Sequence, residues 1–117
     1  LSDLPLGMTA HIVFSAYDDQ PATCSAPMIR VIREDIGFGG LLMTDDLSMQ
    51  ALSGTLADRA AAARRAGCDV ILHCNGTRDE MKAVAAASGV PVAIWRMNRG
   101  MSMVVGQAVM QGASWQK

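Results

Sequence analysis

The chain predicts a parallel α/β fold made of three consecutive strand–helix units. Apolar runs bounded by turn residues recur at Met8–Phe14, Gly40–Thr44 and Asp69–Cys74. Segments with helical stripes or capping residues follow each of them, near Ala26–Asp35, Leu56–Ala66 and Arg78–Ser88. Strand runs that alternate with helices of this length need crossover connections, and crossovers place the strands parallel.

The first strand, Met8–Phe14, is apolar apart from Thr9 and His11. A polar loop with Asp18, Asp19 and Pro21 leads to Ser25, a good N-cap, with Pro27 early in the helix where it is tolerated. Met28, Ile29, Val31, Ile32 and Ile36 form the apolar stripe, and Gly37 stops it. The second strand ends abruptly in Asp45 and Asp46, and Leu47–Leu52 reads as a short helical turn closed by Ser53-Gly54. Thr55 with Asp58, and Thr77 with Glu80, have capping-box spacing, and each helix runs to a glycine, Gly67 or Gly89. Beyond this point Val90–Trp95 reads as one more strand or an extended tail. Arg96–Lys117 shows no clear period with caps, so residues 90–117 are taken as a divergent tail of low order and no assigned function.

At 117 residues the chain is one domain at most. A net charge of −1 with scattered basic residues leaves no stripe for nucleic acid. Tyr17, Phe14, Phe38, Trp95 and Trp115 are too few and too dispersed for a base-stacking platform. Cys24, Cys68 and Cys74 are an odd number without metal spacing, so they are expected reduced, in or near the core of a cytoplasmic protein. No run of 18 apolar residues and no signal peptide appears, so no membrane segment is expected.

Chemistry concentrates at the end of the second strand. Charge at the carboxyl end of a buried strand is costly unless it is hydrogen-bonded, paired or used. In parallel α/β proteins that end is also where sites are built. Asp45 and Asp46 are neighbours whose side chains diverge, so they do not form a pair of carboxylates flanking one bond.

The segment Gly37-Phe-Gly-Gly-Leu-Leu-Met-Thr-Asp-Asp-Leu-Ser-Met49 closely resembles the nucleophile strand of the family 3 glycoside hydrolases. The resemblance is to the bacterial β-N-acetylglucosaminidases that act on cell-wall fragments. Met8-Thr-Ala-His-Ile-Val13, Pro21-Ala-Thr23 with Ser25, and Arg59–Asn75 with Ala66-Gly-Cys-Asp69 and Leu72-His-Cys-Asn75 match in the same order, covering residues 1–88. The resemblance implies part of a (β/α)8 barrel, with residues 1–89 its C-terminal portion. A complete barrel needs roughly 250 residues, and the chain starts at Leu1 without an initiator Met; a fragment is expected.

By the same resemblance Asp45 is the nucleophile, His11 and Asn75 line the sugar site, and no cofactor or metal is needed. Asp46 is expected to cap the following turn or bond backbone amides. The family's acid/base histidine belongs to an upstream loop that this chain lacks, so the isolated chain is expected to be inactive. His73 is expected to be structural, Met43 and Met49 to pack in the core, and Arg64-Arg65 to form a solvated face. The implied substrate is a terminal β-linked N-acetylglucosamine on a muropeptide, and the implied partner is the upstream half of the barrel. Two other classes compete. A receiver-like domain with Asp45 as phosphoacceptor lacks the acidic pair after the first strand and a lysine after a late one. A non-catalytic remnant that binds sugar or another chain becomes the leading reading if the chain is complete.

Overall fold

The computed structural model describes residues 3–74, 76–89, 92–97 and 101–106, the last two segments as backbone only. Strand β1 (Leu6–Met8) pairs parallel with β2 (Leu41–Met43), with Leu6 opposite Leu41 and Met8 opposite Met43. On the other side of β2, Met43 bridges Val70 in parallel sense, just before β3 (Ile71–Cys74). Thr44 N–H donates to Val70 O (2.9 Å) and Asp69 N–H to Leu42 O (2.8 Å), continuing that pairing. The expected parallel run of three strands is therefore present, and no closed barrel is formed by the described residues.

The first strand lies earlier than expected. It ends at Met8, and after Thr9 N–H has bonded Met43 O (2.8 Å) the chain turns away. Ala22 N–H reaches back to Ile12 O (2.8 Å) and Val13 bridges Pro21 antiparallel, so residues 10–22 close into a loop. Ile12, Val13 and Phe14 sit on its surface, 56, 47 and 42 % exposed. An apolar run alone does not separate a buried strand from an apolar loop. β3 is also shorter than expected, because Asp69 and Val70 meet β2 as isolated contacts.

Within the tail, the further strand offered for Val90–Trp95 is present, and the described part of Arg96–Lys117, expected to be of low order, is also strand. β4 (Val92–Met97) and β5 (Met101–Gly106) form an antiparallel pair, and β5 also pairs antiparallel with β3, Ile71 opposite Val104 and Cys74 opposite Met101. The edge of β3 away from β2 thus carries an antiparallel neighbour.

Helix α1 (Ala26–Arg30) is capped by Ser25, whose Oγ accepts from Met28 N–H (3.2 Å), and continues through a π-helical turn over Val31–Asp35. Helices α2 (Leu56–Ala66) and α3 (Arg78–Ser88) have the expected bounds, and both capping boxes form, Thr55 with Asp58 and Thr77 with Glu80. Leu47–Leu52 makes hydrogen-bonded turns rather than a helical turn.

The core lies between the strands and α2. Ala60, Ala63 and Ala66 present a small-residue face on which Ile29, Phe38, Leu42, Leu47, Leu52, Cys68, Ile71 and Val84 pack. Alanine both favours the helix and lets it approach the sheet closely. Met49 does not join this core; it is 44 % exposed, because the turn after Asp46 carries it outward. Arg64 is not simply solvated, since its guanidinium donates to Cys68 O (2.6 Å) and Asp69 O (3.2 Å) past the end of α2. Gly40 precedes β2 in a gap where a Cβ would run into the Leu4 carbonyl and Pro5. Among the described residues no helix is long and apolar enough to cross a membrane.

Candidate active site

Asp45 and His11 lie just past the carboxyl ends of β2 and β1, on the same edge of the parallel pair. Asn75, the third residue expected there, lies outside the described residues. The two aspartates have different surroundings. Asp46 uses its whole carboxylate: Oδ1 accepts from Ser48 N–H (3.0 Å) and Cys74 N–H (2.9 Å), and Oδ2 from the Ser48 hydroxyl. Burial pushes its pKa up, but the Ser48 hydroxyl, the two backbone amides and the nearby His73 pull harder, and the net result is a lowered pKa. Asp46 therefore staples the turn after β2 to the end of β3. Asp45 is half-buried and has one such bond: its Oδ1 accepts from Asp46 N–H (2.8 Å). Its Oδ2 accepts no hydrogen bond among the described residues.

Thr44 fixes the base of this segment. Its Oγ1 accepts from Leu72 N–H (2.9 Å), its own N–H is held by Val70 O, and it is fully buried. Asp45 thus begins one residue after a point locked to β3.

His11 is held at both ring nitrogens. Nδ1 lies 2.8 Å from Thr23 Oγ1 and Nε2 lies 2.9 Å from the main-chain carbonyl of Asp46. A carbonyl only accepts, so Nε2 carries a proton. In the neutral ring Nδ1 then accepts from the Thr23 hydroxyl. Thr23 Oγ1 also lies 2.8 Å from Thr9 Oγ1 and 3.1 Å from Ala10 O, and both threonines are buried. The Thr23 hydroxyl has the Ala10 carbonyl as its alternative acceptor when the ring is charged. The Thr9–Thr23–His11 chain was not legible beforehand, because Thr23 lies 14 residues from Thr9 and 12 from His11 and only folding of the loop joins them.

A second bridge supports the strands from below. The Arg33 guanidinium pairs with Asp69 Oδ2 and donates to Phe38 O (2.9 Å) and Gly40 O (2.6 Å), while Asp69 Oδ2 also accepts from Leu42 N–H (2.8 Å). His73 faces the helix layer instead of the site edge. It is 1 % exposed, and neither ring nitrogen has a hydrogen-bond partner among the described residues. It adjoins a cavity of about 220 Å³ lined also by Ser48, Gln50, Arg59 and Glu80. All three cysteines are free thiols; burial pushes that of Cys68 up to about 12. Among the described residues no group of three His, Cys, Asp or Glu side chains is placed to hold a metal ion.

Comparison with known proteins bears on this arrangement. A β-hexosaminidase of Photobacterium profundum is 41 % identical over 87 residues, covering 72 % of this chain. A β-hexosaminidase of Neisseria meningitidis is 35 % identical over 118 residues, covering 94 % of it. The chain spans 25 % and 33 % of the lengths of these relatives. A family 3 β-N-acetylglucosaminidase from a Paenibacillus species superposes with a TM-score of 0.67 at 32 % identity, over 73 % of this chain and 17 % of that structure. Residues 3–94 match the model of the glycosyl hydrolase family 3 N-terminal domain, and the chain belongs to that family.

Proposed function

We propose that this chain carries the nucleophile of a retaining β-N-acetylhexosaminidase and works as one part of a complete (β/α)8 barrel. The observation that carries the reading is the contrast between the two aspartates. Both oxygens of Asp46 are consumed by the fold, whereas among the described residues Oδ2 of Asp45, at the carboxyl edge of the parallel strands, accepts no hydrogen bond. Asp45 attacks the anomeric carbon, the bond to the leaving oxygen breaks, and that oxygen takes a proton from an acid/base group supplied by the rest of the barrel. Water then hydrolyses the glycosyl-aspartate with overall retention. Neither histidine of this chain is placed for the proton transfer, since both nitrogens of His11 are engaged and His73 is buried away from the edge.

The need for the remaining barrel is supported by the free side of β1, where Leu4, Leu6 and Met8 are 50, 49 and 53 % exposed. The relatives, β-hexosaminidases and a β-N-acetylglucosaminidase, favour a terminal β-linked N-acetylglucosamine as substrate. A muropeptide in cell-wall recycling, handled in the cytoplasm, is our specific proposal, and the three unpaired thiols accord with a reducing compartment. The test is hydrolysis of an aryl β-N-acetylglucosaminide. The full-length enzyme should turn it over with retention, Asp45→Asn should abolish turnover, and the 117-residue chain alone should show none. Normal turnover by Asp45→Asn, checked free of deamidation, removes the nucleophile assignment. Hydrolysis by the chain alone shows that the acid/base lies within it.

A further inference from the structure

We infer that His11 is a positioning residue, which sets the place of Asp45 by holding the Asp46–Leu47 peptide and makes no hydrogen bond to the sugar. The inference rests on the reading of Asp45 as nucleophile. It departs from the sequence expectation that His11 lines the sugar site.

The geometry is specific. The Asp46–Leu47 peptide is gripped at both ends, its carbonyl by His11 Nε2–H (2.9 Å) and its N–H by Leu72 O (3.0 Å). One grip comes from the loop after β1 and the other from β3, so the peptide is strung across three strand ends. Leu47, which follows it, is fully buried and cannot swing. The Asp46 N–H on the preceding peptide donates to Asp45 Oδ1 (2.8 Å). Fixing the orientation of Asp46 therefore fixes the donor that orients the Asp45 carboxylate, which leaves Oδ2 aimed by the frame rather than by solvent. His11 is itself held by Thr23, whose only rotatable hydroxyl is enclosed by Thr9 Oγ1, the ring and Ala10 O. With both nitrogens engaged, the ring has no free polar atom to offer a hydroxyl or acetamide of a sugar.

A misplacement of about 1 Å near a reacting atom can lower a rate on the order of 10²-fold, and that is the expected scale of effect. In the full-length enzyme His11→Phe, which keeps ring shape and loses the donor, should lower kcat roughly 10²-fold and leave KM within about twofold of the native value. His11→Gln, whose amide can still donate to the Asp46 carbonyl, should recover much of kcat. In parallel, nitrogen-15 NMR of the full-length enzyme, at a pH where the imidazole is neutral, should show the His11 ring as the Nε2–H tautomer. The signal is the one missing from the spectrum of either His11→Phe or His11→Gln, and this readout does not depend on activity.

An Nδ1–H tautomer overturns the inference, because Nε2 would then have no proton for the carbonyl. So does an unchanged kcat in His11→Phe, or a loss confined to KM, which would assign His11 a direct sugar contact. If His11→Phe does not fold, the kcat of His11→Gln and the tautomer decide: a glutamine variant slowed as severely as an alanine variant overturns the role. Failure of the underlying reading looks different, since Asp45→Asn would then remain active whatever His11 variants do.

Discussion

The two flanks of β2 are built differently. On the β3 flank, side chains and main chain are both used: Asp69 and Thr44 bond across the strands, α2 covers them, and Leu42, Leu47 and Ile71 are buried. On the β1 flank the pairing is three residues long, and Leu6, Met8, Ile12, Val13 and Phe14 face outward. The β3 flank is a packed core, and the β1 flank leaves apolar side chains exposed. At the site edge, polar contacts tie the flanks together through His11, Thr23 and the Asp46 carbonyl.

That contrast predicts unequal responses to substitution. The largest belongs to the β3 flank. Leu47 is fully buried in the core, and Leu47→Ala should lower stability by about 2–5 kcal/mol. A shift in the urea midpoint of less than about 0.5 kcal/mol equivalent would show that this flank is not the core described.

The middle effect belongs to the staple between β2 and β3. Asp46→Asn should cost about 1 kcal/mol, because an amide can keep only part of the carboxylate's acceptor set. The folded pKa of Asp46 is lowered below the ordinary aspartate value. Its contribution is therefore present above the unfolded pKa and fades as pH falls through the folded one. Stability of the native chain should accordingly drop below about pH 4, and the drop should be smaller in Asp46→Asn. Parallel pH curves for the two proteins would remove the staple.

How much of this was legible in the sequence follows the same division. Helices α2 and α3 were legible to the residue because Thr55–Asp58 and Thr77–Glu80 are local signals closed by Gly67 and Gly89. The parallel order followed from alternation alone. The β1 flank was misread because Ile12, Val13 and Phe14 look like strand residues and are loop residues whose apolar side chains stay about half exposed. Met49 misled in the same way. At the site, the motif located Asp45 and Asp46, but their division of labour depends on Cys74 N–H and Ser48, and that of His11 on Thr23 and the Asp46 carbonyl. No local pattern encodes contacts made across 28 to 35 residues.

The smallest effect belongs to the β1 flank. Leu6→Ser in the 117-residue chain should change stability by no more than about 0.5 kcal/mol, since the side chain is already half in water. The same change in the full-length enzyme should be clearly destabilising if the β1 flank is covered there. Equal, negligible effects in both proteins would mean that nothing packs on this face.

Gly40 gives the meeting of the two flanks a property that no contact energy describes. The Leu41 N–H bonds Pro5 O (3.0 Å), and just before it Gly40 occupies a gap closed to any Cβ by the Leu4 carbonyl and Pro5. If β2 slid one residue along β1, a leucine or Gly39 would have to take that place. One direction is blocked by bulk, and either direction turns each side chain of the strand to the wrong face. The glycine thus acts as an alignment key for assembly. A register slipped by one residue is therefore disfavoured, and the level of Asp45 relative to β1 follows from the β1–β2 alignment that Gly40 permits.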